Sequence, residues 1–162
     1  MGRSAAANLD TAGVEIEAAT EADLPALLPL MRAYCDFYES SPPDDGLLAL
    51  ARALIAAPDA DGMLLVARGA DGVPVGFATV DWKWSSTRAA RIAVMEDLYV
   101  APEARGQGAA DALIEACAGG ARELGAPVLS WMTAPDNHRA QAVYNRAGAT
   151  PGTWLEYELE LG

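Results

Sequence analysis

The stretch Arg91–Ala110, RIAVMEDLYVAPEARGQGAA, decides the reading of this chain. Its first half is rich in apolar and β-branched side chains and predicts a strand over Arg91–Val100. Pro102 ends that strand. The glycine-bearing loop around Arg105, Gly106, Gln107 and Gly108 then leads into a helical pattern from Ala109 to Leu124, with Gly125 as its C-terminal cap. A chain that passes through glycines into a helix N-terminus turns its backbone N–H groups outward. The helix dipole adds positive potential there, so a pyrophosphate can be held without many cationic side chains. The loop lacks Gly-Lys-Ser/Thr and is therefore no P-loop, and its glycine spacing is not that of a dinucleotide fingerprint. Taken alone, it reads equally well as a glycine-rich turn carrying one surface arginine.

Working outward, Val14–Ala18 alternates apolar and acidic residues and predicts a half-buried strand. Thr20 and Asp23 resemble a capping box that opens a helix reaching to about Glu39. The breaker SSPPDDG, residues 40–46, separates it from a second helix over Leu47–Ala57, which Pro58 stops. Met63–Arg68 and Val75–Trp82 read as an antiparallel strand pair around the turn signal Asp71-Gly72. Beyond the central stretch, the pattern predicts a short strand over Pro127–Met132, a helix over Asn137–Ala147 ended by Gly148, and a last alternating strand over Thr153–Leu161. Residues 1–13 read as a flexible tail and 14–162 as one domain, an α/β chain with a mixed, mostly antiparallel sheet of about six to seven strands and about four helices.

The 162 residues carry 11 basic and 23 acidic side chains, a net charge of −12. That balance disfavours nucleic acid and anionic membranes and favours cationic partners. The acidity is uneven: residues 10–61 hold 11 acidic and 2 basic residues, whereas residues 101–150 hold 5 and 4. An anionic ligand therefore belongs to the second half and a cationic one to the first. Cys35 and Cys117 are far apart and His138 is the only histidine, so neither a structural zinc site nor a disulfide framework is expected. No apolar run is long enough to cross a bilayer and no signal-peptide core is seen, which gives an expectation of a cytoplasmic protein.

A second motif lies at Asn137–Gly148, NHRAQAVYNRAG. Asn137 can cap the helix, Ala140 leaves room for a close neighbour, and Tyr144 falls two turns along on roughly the same face. In this order, the two motifs resemble those of the GNAT superfamily of acetyl-CoA-dependent N-acetyltransferases. Arg105, Gly108 and Ala110 take the defining positions of the family's Arg/Gln-x-x-Gly-x-Gly/Ala loop. Asn137, Ala140, Tyr144 and Gly148-Ala149 match its later Asn-Ala-Tyr motif. The run Met95-Glu96-Asp97-Leu98-Tyr99-Val100 is similar to the corresponding segment of the spermidine/spermine branch, with Leu98 as a departure.

The resemblance implies a GNAT fold and acetyl-CoA as co-substrate. Leu98, Tyr99 and Val100 would pair with the pantetheine arm, the Val100 amide near the thioester oxygen, in a V opened where this strand splays from the one starting at Pro127. The amides of Arg105, Gly106, Gln107, Gly108, Ala109 and Ala110 would meet the pyrophosphate, and Asn137 and Ala140 would also lie against the cofactor. Tyr144 would be the general acid and Glu96, acting through water, the base. Strand alternation sets Glu96 with Leu98 and Asp97 with Tyr99 on opposite faces. Tyr38, Glu39, Asp81 and Trp84 are the candidate acceptor-binding residues, a mix of carboxylates and aromatics suited to an amine cation. The expected reaction is direct acetyl transfer to the primary amine of a cationic small molecule, such as a polyamine, diamine or amino acid. Acetylation of a protein amine or an aminoglycoside, and acyl-CoA binding without catalysis, are the alternatives. No metal is implied, and a homodimer through the last strand or through Trp154 and Tyr157 is compatible with the sequence.

Overall fold

The computed structural model describes residues 13–162, so all but Gly13 of the expected N-terminal tail lies outside it. The described chain falls into two units, the first ending at Met132 and the second running from Thr133 to Gly162.

In the first unit the alternating N-terminal segment forms β1, Glu15–Ala18. The capping box forms as the spacing predicts. The Thr20 amide and hydroxyl both donate to Asp23 Oδ2, at 2.8 and 2.9 Å, and shape a 3-10 turn ahead of α1, Leu24–Phe37. The second helix, α2, spans Asp44–Ala56 and begins earlier than its apolar pattern, because Asp44 and Asp45 suit a first turn that follows Pro43. Three long strands follow: β2, Gly62–Arg68; β3, Pro74–Ser85; and β4, Ala90–Val100. The last elements of this unit are α3, Ala109–Glu123, and β5, Leu129–Ser130.

The sheet runs β1-β2-β3-β4-β5 in space, antiparallel throughout except for the parallel β4–β5 pair. Leu64, Val66 and Phe77 point to one face and pack with Leu27, Met31, Leu47, Ala51 and Leu54 of α1 and α2. Alternation sends Leu65, Ala67, Ala78 and Val80 to the other face, where α3 lies. A Cβ on Gly120 of that helix would meet the Met63 sulfur at 2.6 Å, so a larger residue there would have to displace the flexible end of Met63. Cys117 is fully buried there, and burial pushes its thiol up to about 12, as suits a core residue.

The second unit holds α4, His138–Arg146, capped by Asn137. The strand expected over Thr153–Leu161 is absent: this segment has no regular structure and is exposed throughout, with Trp154 97% accessible. Its alternation of apolar and acidic residues satisfies a strand pattern, but a strand exists only through a neighbour's hydrogen bonds, and none of the ladders in the described residues includes it. The sheet accordingly has five strands instead of six to seven. No described helix is long and apolar enough to cross a membrane.

Candidate active site

β4 carries the site, and a bulge organises it. Thr79 pairs with Asp97 but Val80 pairs with Met95, so Glu96 is an extra residue without a counterpart on β3. Below the bulge, Met95 faces the α3 side with Val80. Above it, Asp97 and Tyr99 stand with Thr79 and Phe77 on the α1 side. Asp97 thus shares a face with Tyr99 as alternation predicts, whereas Glu96 falls at the bulge and is exposed. Pairing between β4 and β5 is confined to Ala93 with Leu129 and Val94 with Ser130. The strands part from Met95 onward, at the level of the bulge, which bends the strand that carries it.

That divergence leaves one edge of β4 open. The Ala101 amide donates to the Val75 carbonyl at 2.8 Å, which makes Val75 and Ala101 a hydrogen-bonded pair. By antiparallel alternation, the backbone groups of Leu98 and Val100 then point away from β3, toward the open edge. The Val100 carbonyl there accepts from Arg105 Nε at 2.8 Å, and the Arg105 guanidinium lies 5.8 Å from the centre of the Tyr99 ring. The predicted anion loop and the predicted cofactor strand are thus fastened together.

Within the loop, Gly106 and Gly108 have φ of 77° and 84°, a conformation that favours glycine, and Gly108 is the residue before α3 begins. Among the described residues, no backbone carbonyl takes the amides of Gly106, Gln107, Gly108, Ala109 or Ala110. This is a row of donors at a helix N-terminus, the arrangement an anion requires.

On the α1 side of the sheet lies an aromatic and acidic cluster. Tyr34 of α1 stacks edge-on with Tyr38, Phe77 and Tyr99 at centroid distances of 5.0, 6.0 and 6.3 Å. Its hydroxyl donates to the Glu96 carbonyl at 3.3 Å. Burial, and then the nearby Asp97 charge, push the Tyr34 phenol well above its ordinary value. Thr79 Oγ1 donates to Asp97 Oδ2 at 2.6 Å and accepts from the Asp97 amide at 3.1 Å. Asp81, farther along the same face of β3, has its carboxyl raised by burial and then by the charges of Asp97 and Asp61.

The four candidate acceptor residues do not converge. Tyr38 joins the cluster through Tyr34, and Asp81 lies in the field of Asp97. Glu39 sits exposed past the end of α1, with φ 55°. Trp84 is 75% exposed, and alternation sets it on the face opposite Asp81. In the second unit, Asn137 Oδ1 accepts from the Ala140 amide at 3.2 Å, so the cap read from sequence is present. Tyr144 is half-buried on the same helix, and His138 is exposed. Thr79, whose bond to Asp97 sits at the centre of this cluster, was not among the residues singled out from sequence, although a lone hydroxyl in the apolar run Phe77–Val80 was a signal.

Residues 27–149 match the Acetyltransferase (GNAT) family. The chain belongs to this family. It is 30% identical over 149 residues to the uncharacterized N-acetyltransferase YhfO of Bacillus subtilis, covering 91% of this chain and 98% of that one. A D-amino-acid N-acetyltransferase of Saccharomyces cerevisiae, HPA3, is 39% identical over 75 residues, 46% of this chain and 47% of the yeast protein. A solved structure described as a probable acetyltransferase superposes with a TM-score of 0.79 at 27% identity, covering 91% of this chain and 98% of that one. The protein is therefore an N-acetyltransferase of the GNAT type that uses acetyl-CoA. The left-handed glycines, the row of amides at Gly106–Ala110 and the open edge at Leu98–Val100 fit that co-substrate.

Proposed function

We propose that this acetyltransferase acts on the primary amine of a small cationic acceptor, such as a diamine, a polyamine or an amino acid. The observation that carries this reading is the acidic face around Asp97 and Asp81. Burial and mutual repulsion hold the Asp81 carboxyl above its ordinary value, and a bound cation would relieve that repulsion. Tyr34 and Tyr38 add aromatic rings, which favour the same charge. The yeast relative's D-amino-acid specificity supports including amino acids among the acceptors.

Acetyl-CoA supplies an acetyl group already activated as a thioester. The amides of Gly106–Ala110 hold its pyrophosphate, Leu98 pairs with its pantetheine arm, and the Val100 amide donates to the acyl oxygen. The exposed Glu96, beside the open edge of β4, is the carboxylate that takes the ammonium proton through water. Tyr144 Oη donates a proton to the departing sulfur.

The test is thiol release from acetyl-CoA with diamines, polyamines, L- and D-amino acids and aminoglycosides. Diamines, polyamines or amino acids should give saturable turnover. Turnover with aminoglycosides alone, or none above hydrolysis with any primary amine, overturns the reading. Glu96→Gln and Tyr144→Phe should each lower kcat while leaving acetyl-CoA affinity unchanged.

A further inference from the structure

We infer that Thr79 is a positioning residue for acetyl transfer, which clamps the β4 bulge from β3 and thereby presents Glu96, with Tyr34 clamping the same bulge from α1. The inference rests on the reading of Glu96 as the base.

A bulge interrupts the ladder and leaves backbone groups that need other partners. Here two side chains bond to the backbone of the bulge. The Asp97 amide donates to Thr79 Oγ1 at 3.1 Å. The same hydroxyl donates its proton to Asp97 Oδ2 at 2.6 Å, which aims the carboxylate inward. The Glu96 carbonyl, turned out of the ladder, accepts from Tyr34 at 3.3 Å. Thr79 is only 2% exposed, one of two buried polar residues in the described chain, so water cannot easily replace its hydroxyl.

The clamp sets the phase of the strand. Without the extra residue, regular alternation would put Met95 on the face of Asp97 and Tyr99, and Glu96 would take a place in the ladder with Leu98. With it, Met95 stays buried at 3% exposure while Glu96 is extruded beside the open edge of β4. At the other end, Val100 is anchored independently, through the bonds from Ala101 to Val75 and from Arg105 to Val100. Loss of the clamp should therefore disturb the base and spare the cofactor strand.

The experiment compares Thr79→Val, Thr79→Ser, Glu96→Gln and the double variant Thr79→Val/Glu96→Gln, using as acceptor the primary amine with the highest turnover in the screen above. Thr79→Val should lower kcat roughly ten- to hundredfold, the effect of losing a buried hydrogen bond to a charged group, with KM for acetyl-CoA unchanged. Thr79→Ser, which keeps the hydroxyl, should restore turnover. In the Glu96→Gln background, Thr79→Val should have little further effect, because both act on one function. A folded Thr79→Val with normal kcat, failure of serine to rescue, or full additivity overturns the inference. If Thr79→Val does not fold, Tyr34→Phe removes the second clamp and should also lower kcat; unchanged kcat there overturns it. Glu96→Gln with normal turnover overturns the reading of Glu96 itself. An impaired Glu96→Gln beside a silent Thr79→Val overturns only the role of Thr79.

Discussion

Arg105 turns back onto its own strand: its Nε donates to the Val100 carbonyl at 2.8 Å while its guanidinium lies over the Tyr99 ring. The first residue of the anion-loop motif thus fastens the loop to the strand edge, and its charge sits above that edge. Arg105→Ala should raise the Kd for acetyl-CoA about tenfold, since one charge-assisted hydrogen bond is lost from the frame of the site. Arg105→Lys should recover only part of this, because an ammonium does not reproduce a guanidinium that bonds the Val100 carbonyl and lies over the Tyr99 ring at once. Titration calorimetry with acetyl-CoA checks both, and an Arg105→Ala protein of wild-type affinity would remove this role.

The loop glycines are required for their backbone angles. At Gly106 a Cβ would meet no atom within 4 Å, yet φ is 77°. Alanine there has room but must adopt a left-handed conformation, at a cost of about 1–2 kcal/mol. Gly106→Ala should lower Tm and weaken acetyl-CoA binding, and Gly106→Asn should do so less, because asparagine tolerates this region better. Equal effects of the two substitutions would point to crowding instead of strain.

Much of this fold can be read from local patterns because its elements announce their own ends. Thr20 and Asp23 mark the first helix start, Pro58 follows the second helix, and glycines flank the third. The turn at Gly106 and Gly108 was equally legible, since both glycines take left-handed angles that favour glycine. The bulge at Glu96 was not. It lies where Thr79 bonds Asp97, eighteen positions apart on two strands, and alternation counted along one strand cannot register an inserted residue. The separation of Trp84 from Asp81 follows from parity along β3 and could have been counted. The segment Thr153–Leu161 misled for the opposite reason: its pattern is that of a strand, but pattern alone provides no partner.

Asp81 illustrates a conflict between stability and the proposed use of the site. Its carboxyl is raised by burial and by the charges of Asp97 and Asp61, so the folded state resists the charge that the unfolded chain carries freely. A raised acid binds protons more readily when folded, and the charged form therefore costs stability above its ordinary range. Asp81→Asn should raise Tm at pH 7, with a gain that shrinks as pH falls toward 4 and Asp81 itself becomes protonated. The same substitution should raise KM for the cationic acceptor. If Tm does not rise, the charges of Asp97 and Asp61 do not destabilise Asp81; if KM is unchanged, Asp81 does not face the acceptor.

Asp23 behaves in the opposite way. Burial at 6% exposure would raise its carboxyl, but hydrogen bonds from Arg68 at 2.6 Å and from the Thr20 amide and hydroxyl outweigh burial and leave it below its ordinary value. Arg68 also donates to Glu17 at 2.7 Å, so β1, β2 and the first turn meet at one guanidinium. A lowered acid stabilises the fold fully above its unfolded value and loses that contribution as pH falls through its folded value. Asp23→Asn keeps the size but removes the charge and leaves Arg68 with less compensation, at a cost of about 2–3 kcal/mol at pH 7. Urea unfolding of both proteins at pH 7 and pH 3 measures this. The difference should be large at neutral pH and smaller in acid, where the wild-type carboxyl also begins to protonate. A difference that is the same at both pH values would mean that Asp23 stabilises the turn by its shape and not by its charge.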